Sequence, residues 1–329
     1  MSGSLPTLTA ASASAFLPFA SSAALGGNIE GASVMCDGSF VAVGGTSVVR
    51  LDTGAVVANG GKGQFASSRF TGTSTLLVGD ASTHQIFNMT IGSSPVMVDS
   101  SQAPALFPVN PNMIQPNDFT LDKTFTKMYI SGMRYVATTT AGIDGELWYF
   151  NTVSKVLAQV APSVLATAKI HRTNGIELSP DNQSLYVTSA QNGPPTAAQI
   201  YKFTINSSTG VPESPVVLVD LYKALGALGV NYNGMDPDGM KCDQNGVIHV
   251  TMNGGAMVFR WNPATQAGQV IRLPNVTSPS NLQFGGVDGK RLVVVGHGCG
   301  GQWGNSCADF IDLDSPGREI TDLKNSGRC

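Results

Sequence analysis

"RTNGIELSPDNQSLYVTSA", residues 172–190, decides the fold. An Asn-Gly pair leads an alternating apolar run, a Pro-Asp-Asn turn follows, and a second, more apolar run closes the stretch. That order reads as a β-hairpin with a polar residue at its entrance. It recurs along the chain. "QPNDFTLDKTFTKMYISG" (115–132), "DPDGMKCDQNGVIHVTMN" (236–253) and "PSNLQFGGVDGKRLVVVG" (279–296) repeat it. "IEGASVMCDGSFVAVGG" (29–45) is a shorter copy, and "SSRFTGTSTLLVGD" (67–80) keeps the strands without the polar lead. The units are led by Glu30, Arg69 or its neighbours, Asn117, Asn174, Asp238 and Asn281.

Spacings of roughly 35–65 residues leave room for about four strands per unit. "ELWYFNT" (146–152), "AQIYKFTI" (198–205) and "AMVFRWNP" (256–263) supply further strands. Four-stranded units repeated around an axis make a β-propeller, and six units make a six-bladed one. A pair of β-sandwiches is the alternative, but one motif repeated six times argues against two independent Greek keys. The expectation is therefore an all-β, six-bladed β-propeller with four-stranded blades over residues 28–329. A Ser/Ala-rich N-terminal segment, 1–27, precedes it.

Composition agrees. Only 12% of the 329 residues are charged, and 38 are glycine, against about 25% charged and 7% Gly in ordinary domains. Net charge is −3 with no Lys/Arg cluster, which speaks against a nucleic-acid partner. No apolar run approaches the roughly 20 residues of a membrane span. A closed propeller leaves few free edges, so a monomer is expected.

The segment "SASAFLPFASSAAL" (12–25) is mildly apolar but lacks the basic n-region of a secretory signal. Four glycosylation acceptors, at Asn88, Asn182, Asn206 and Asn275, point to the secretory pathway all the same. Five cysteines leave at least one unpaired. Cys299 and Cys307 flank "CGGQWGNSC" and are expected to pair. Cys36 and Cys242 lie in apolar strand patterns and are read as buried packing residues, with Cys329 as a candidate tail tether.

In a propeller the residues just before each innermost strand converge at one end of the central channel. Glu30, Asn117, Asn174 and Asp238 would meet there. Singly, Asn-Gly and Asp-Gly are turn formers. Jointly, two carboxylates and two amides in register with the repeat offer only oxygen, which suits Ca²⁺. Asn281 is read as a turn former or a supporting hydrogen bonder.

"IEG", "QPNDF", "RTNGIELSPDNQSLYVT", "PDGMKCDQNGVIHV" and "SNLQFGG" resemble the regucalcin/gluconolactonase family, which shares its fold with the squid-type phosphotriesterase and the paraoxonases. The resemblance implies one catalytic Ca²⁺ held by Glu30, Asn117, Asn174 and Asp238. It also implies hydrolysis of lactones or organophosphate esters, with Asp238 as general base or nucleophile. The sugar-lactone members carry an Arg where this chain has Gln115, and an acidic residue after the following strand where this chain reads "SGMRYVATTT" (131–140). A moderately apolar substrate is therefore expected rather than a sugar acid.

Met113, Met133, Tyr135, Met235, Met252 and Trp303 would surround the mouth, unless they fill packing gaps. Gln115, Arg134, Tyr135, His297 and Trp303 are the candidate substrate contacts. His171 is a weaker candidate, and His249, inside a strand, reads as structural. Three functions follow: a Ca²⁺-dependent lactonase or esterase, a non-hydrolytic cyclase such as a hetero-Diels–Alderase of fungal secondary metabolism, or a binding propeller with a structural metal.

Overall fold

The computed structural model describes residues 8–9, 11–12, 25, 29–59, 63–91, 98–99, 103–133, 144–190, 198–232, 234–299 and 305–329. Among the described residues there are six sheets, each built on an antiparallel meander running outward from the axis. Their inner strands are Gly31–Val34, Phe65–Phe70, Pro116–Leu121, Ile176–Leu178, Asp236–Cys242 and Ser278–Gly285. The chain is the six-bladed propeller that the repeat predicts.

The opening stretch shows how a blade forms. Ile176 and Leu178 pair with Val187 and Leu185. The turn between the two strands places Asn182 at φ 59°, a left-handed conformation that Asn tolerates better than most residues. Ser184–Ala190 then pairs with Ala198–Ile205, and that strand with Pro212–Asp220. Inner strands are almost wholly buried because each blade packs against two neighbours and the axis. Phe284 and Leu282 of the sixth blade, for instance, share a core with Val34 and Phe40 of the first.

The ring is closed by both ends of the chain. Ala11–Ser12 pairs antiparallel with Cys307–Asp312 and so supplies the outer strand of the sixth blade. Leu8–Thr9 runs parallel to Ala267–Arg272 on the fifth. Val98–Asp99 adds a parallel strand to the first blade beside Val56–Asn59.

Cysteine pairing follows the sequence in part. Cys299 pairs with Cys307, and Cys242 is free and buried. Cys36 corrects the expectation: it is bonded to Cys329 across 293 residues. Its strand ends at Val34, so Cys36 stands in the following turn, where the C-terminus can reach it.

A C-terminal helix, Arg318–Asn325, precedes that bond. It lies at the C-terminal ends of the inner strands: Asp243 bridges Gly317, and the Arg318 guanidinium donates to Leu121 O at 3.1 Å. Since the inner strands run one way along the axis, this helix closes the end of the channel opposite the lead residues.

Candidate functional site

The lead residues occupy bulges. Pairing shifts register between Pro116 and Phe119, between Pro237 and Met240, between Phe65 and Ser67, and between Pro279 and Asn281. Glu30 and Gly31 both stand against Val43, and Asn174 and Gly175 both bond Thr188. A bulge sets two residues opposite one and re-aims a side chain. In every blade the re-aimed position is the lead: Glu30, Ala66, Asn117, Asn174, Asp238 and Ser280. The second blade therefore offers Ala66 rather than Arg69, and the sixth offers Ser280 with Asn281 one place on.

The glycine after three of the leads is not a turn residue, for none of Gly31, Gly175 and Gly239 has positive φ. Each is a point of close approach between blades. A Cβ on Gly175 would stand 2.1 Å from Asp238 O, one on Gly239 2.6 Å from Asn281 Oδ1, and one on Gly31 2.9 Å from Ser67 Cα. "Asn-Gly" and "Asp-Gly" thus encode tight packing around the axis. This packing draws the leads of the fourth and fifth blades together.

Asp238 is the electrostatic centre. Asn253 Nδ2 donates to its Oδ2 at 3.0 Å, and the Asn174 amide also bonds the carboxylate. Burial, then the Glu30 charge, push its pKa well above the ordinary value, and the two amides only partly offset them. Asn117 and Asn174 are buried, whereas Glu30 and Asp238 are half-buried. Asn174 Oδ1 is buried with no hydrogen-bond partner, an arrangement that costs free energy unless something accepts the lone pairs. No group of three or more His, Cys, Asp and Glu is placed to hold a metal among the described residues. The leads are instead a mixed carboxylate–amide set, with one orphaned acceptor, whose chemistry fits a hard cation.

Two residues before the leads stands a second polar tier: Gln115, Arg172 and Asp236 on consecutive blades. Arg172 Nη2 meets Asp236 Oδ2 at 2.7 Å. The sequence reading missed this pair, although both members stand in the register of Gln115. Gln115 is half-buried, and its N–H donates to Glu146 Oε1 at 3.2 Å. His297 pairs with Ser278 at the same end of the channel and is buried. Burial lowers its pKa, so the ring is neutral at pH 7. His171 is half-buried beside this tier, its N–H donating to Ser189 Oγ at 3.2 Å. Arg134, Tyr135 and Trp303 lie outside the described residues. Met113, Met133, Met235 and Met252 are all buried, the first, third and fourth within clusters between blades. His249 is fully buried, its Nε2 accepting from Arg260 Nε at 3.0 Å.

Three residues past the leads lies a third, charged tier, of which the sequence reading named only Arg69, and that as a lead. Ser33, Arg69, Thr120, Glu177, Lys241 and Gln283 are all buried. Arg318 and Glu319 of the C-terminal helix enter it. Arg318 Nη2 meets Glu177 Oε1 at 2.5 Å, Arg69 Nη2 meets Asp118 Oδ1 at 2.8 Å, and Arg69 Nε meets Glu319 Oε2 at 3.0 Å. Lys241 Nζ stands 3.8 Å from both Glu177 and Glu319. Side chains from four blades and one helix can meet this way only on the axis, so the channel is plugged below the leads.

Residues 36–297 match the model of the SMP-30/gluconolactonase/LRE-like region, and the chain belongs to that family. Solved structures share the fold. A luciferin-regenerating enzyme superposes with TM-score 0.69 at 16% identity, covering 90% of this chain and 95% of its own. A calcium-binding regucalcin from Agrobacterium tumefaciens gives 0.62 at 16%, covering 88% and 92%. A gluconolactonase from Xanthomonas campestris gives 0.63 at 16%, covering 95% and 99%. Among curated proteins no sequence matches.

Proposed function

We propose that the protein is a Ca²⁺-dependent hydrolase of lactones or related esters, with a moderately apolar small-molecule substrate. The observation that carries this reading is Asn174 Oδ1, a buried acceptor without a partner beside the mutually repelling Asp238 and Glu30. Glu30, Asn117, Asn174 and Asp238 would hold the ion. When bound, Ca²⁺ supplies Lewis-acid polarisation of the substrate's carbonyl or phosphoryl oxygen.

The chain's own groups do the rest. Asn253 and Asn174 orient the Asp238 carboxylate, which takes the proton of the attacking water. Neutral His297 and Gln115 line the approach and offer hydrogen bonds to the substrate. No cationic side chain stands at the Gln115 position, which supports an ester that is not a sugar acid. Arg172, one blade on, is already engaged by Asp236.

One observation favours the cyclase reading. Asp238 already receives two side-chain amides, so it is held in place without a cation. Turnover of lactones and aryl esters with Ca²⁺, with EDTA, and in Asp238→Ala separates the two. Hydrolysis lost under both treatments supports the hydrolase; metal-indifferent turnover without a hydrolysed product supports the cyclase. We also read the chain as a monomer of the secretory pathway. Two disulfides support that routing.

A further inference from the structure

The four Asn-X-Ser/Thr acceptors have no part in the site, and the fold treats them differently. Asn275 is committed: its Nδ2 donates to Asp309 Oδ1 at 2.7 Å, and Asp309 is fully buried. Asn182 locks two blades, accepting from Lys123 N at 2.8 Å while its Nδ2 donates to Ser179 O and Pro180 O. Asn88 is half-buried in mid-strand, paired with Leu77 on one side and donating its N–H to Pro104 O at 2.9 Å on the other. A glycan on Asn275 or Asn182 would displace a side-chain contact between packed segments, and Asn88 lies in mid-strand rather than in a turn.

Asn206 is built otherwise. It opens the turn between Ala198–Ile205 and Pro212–Asp220, and Ser207, Ser208 and Thr209 are exposed around it. Its Oδ1 accepts from Ser208 N at 3.0 Å and Thr209 N at 3.1 Å. That aims the Nδ2 away from the turn, where, among the described residues, only the Glu213 carboxylate meets it, at 3.3 and 3.4 Å, in an exposed contact. The turn follows a third strand, which runs in the sense of the inner strand. It therefore lies at the plugged end, away from the leads. It also sits at the tip of an outer strand that shows Val216 and Val217 to solvent at 58% and 48%. An apolar outer edge of this kind needs cover against pairing with other chains.

We propose that Asn206 is the N-glycosylation site of this protein and that its glycan shields the outer edge of the fourth blade. The transfer forms a bond from Asn206 Nδ2 to the anomeric carbon of a lipid-pyrophosphate-linked oligosaccharide. It breaks that carbon's bond to the pyrophosphate, which leaves with the electron pair, and it releases one Nδ2 proton. The inference rests on the secretory routing and is independent of the hydrolase reading.

The test expresses the full chain, wild type and Asn206→Gln, behind a cleavable secretion leader in yeast, and maps glycopeptides of the secreted protein by mass spectrometry. The expected result is a glycan on Asn206, bare Asn88, Asn182 and Asn275, and an N206Q band smaller by one glycan. A secreted wild-type chain with bare Asn206, or with higher occupancy at another acceptor, overturns the proposal. Because the leader supplies the routing, a bare Asn206 counts against the site and not against secretion of the native chain.

Discussion

Arg318 reaches from the C-terminal helix to Glu177 on the inner strand of the fourth blade, Nη2 to Oε1 at 2.5 Å, although 141 residues separate them. Glu177 stands three residues past Asn174, on the strand that Asn174 leads. The pair ties the plug of the channel to the strand that follows a candidate ligand. Both members are buried, so removing one leaves the other charge uncompensated. Arg318→Met is expected to destabilise the fold by about 3–5 kcal/mol, and Glu177→Gln to do the same through the guanidinium left behind. Urea unfolding of each variant measures this.

Acid should act on the same pair. Burial alone would raise the Glu177 pKa, but Arg318, Lys241 and Arg69 outweigh it and hold it below the ordinary value. A depressed carboxylate contributes stability that is complete above its unfolded pKa, near 4.5, and lost as pH falls through the folded one. Stability should therefore drop below about pH 4.5, and less steeply in Glu177→Gln. Equal slopes in the two proteins, read from urea midpoints against pH, would remove this role.

The Cys36–Cys329 bond fastens the plug from outside. Cys329→Ser should cost about 2–4 kcal/mol, because the bond closes nearly the whole chain into one loop. It should also expose the C-terminal helix to exchange. Hydrogen exchange across 318–325 is the direct measurement, and unchanged protection would show that the ion pairs suffice alone.

Much of this was legible in the sequence, and what was not has physical causes. Polar leads in one register in five of six repeated units announced the propeller, because each blade must start its inner strand at the same point. The glycines after them looked like turn residues, since a glycine needed for close approach and one needed for positive φ are the same letter. Arg318 and Glu319 were invisible as channel residues: on a short, polar C-terminal helix they read as solvated charges, and only the closed ring gives them an axis to enter. Cys36 was read as packing because its apolar neighbours concealed that its strand had already ended.

The glycine account carries its own prediction. Gly175→Ala would set a methyl carbon 2.1 Å from the backbone oxygen of Asp238, which no side-chain rotation relieves. The strain should cost about 1–3 kcal/mol and should lower Ca²⁺ affinity by moving Asn174 against Asp238. By contrast Gly246→Ala, in a surface turn with nothing within 4 Å, should leave Ca²⁺ affinity unchanged. Thermal melting and Ca²⁺ titration of both variants separate the two kinds of glycine.

In the proposed role as base, Asp238 would set a trade between stability and activity. Burial and the Glu30 charge raise its pKa, so the folded chain holds that proton more tightly than the unfolded one. The metal-free protein should then lose stability as pH rises above the unfolded value near 3.8. Asp238→Asn should stabilise the metal-free protein at pH 7 by about 1 kcal/mol, or about 2 °C in a domain of this size, while abolishing ester hydrolysis. A variant that melts lower than wild type in EDTA would show that Asp238 is not under repulsion.

Calorimetric titration of Ca²⁺ into chelator-stripped protein tests the central claim most directly, with wild type, Asn174→Ala and Asp238→Ala compared. The lead residues predict one Ca²⁺ per wild-type chain, binding weakened at least about tenfold, or 1.4 kcal/mol, in Asn174→Ala, and no binding in Asp238→Ala. A folded wild-type chain that takes up no Ca²⁺, or variants that bind it equally well, would contradict the account.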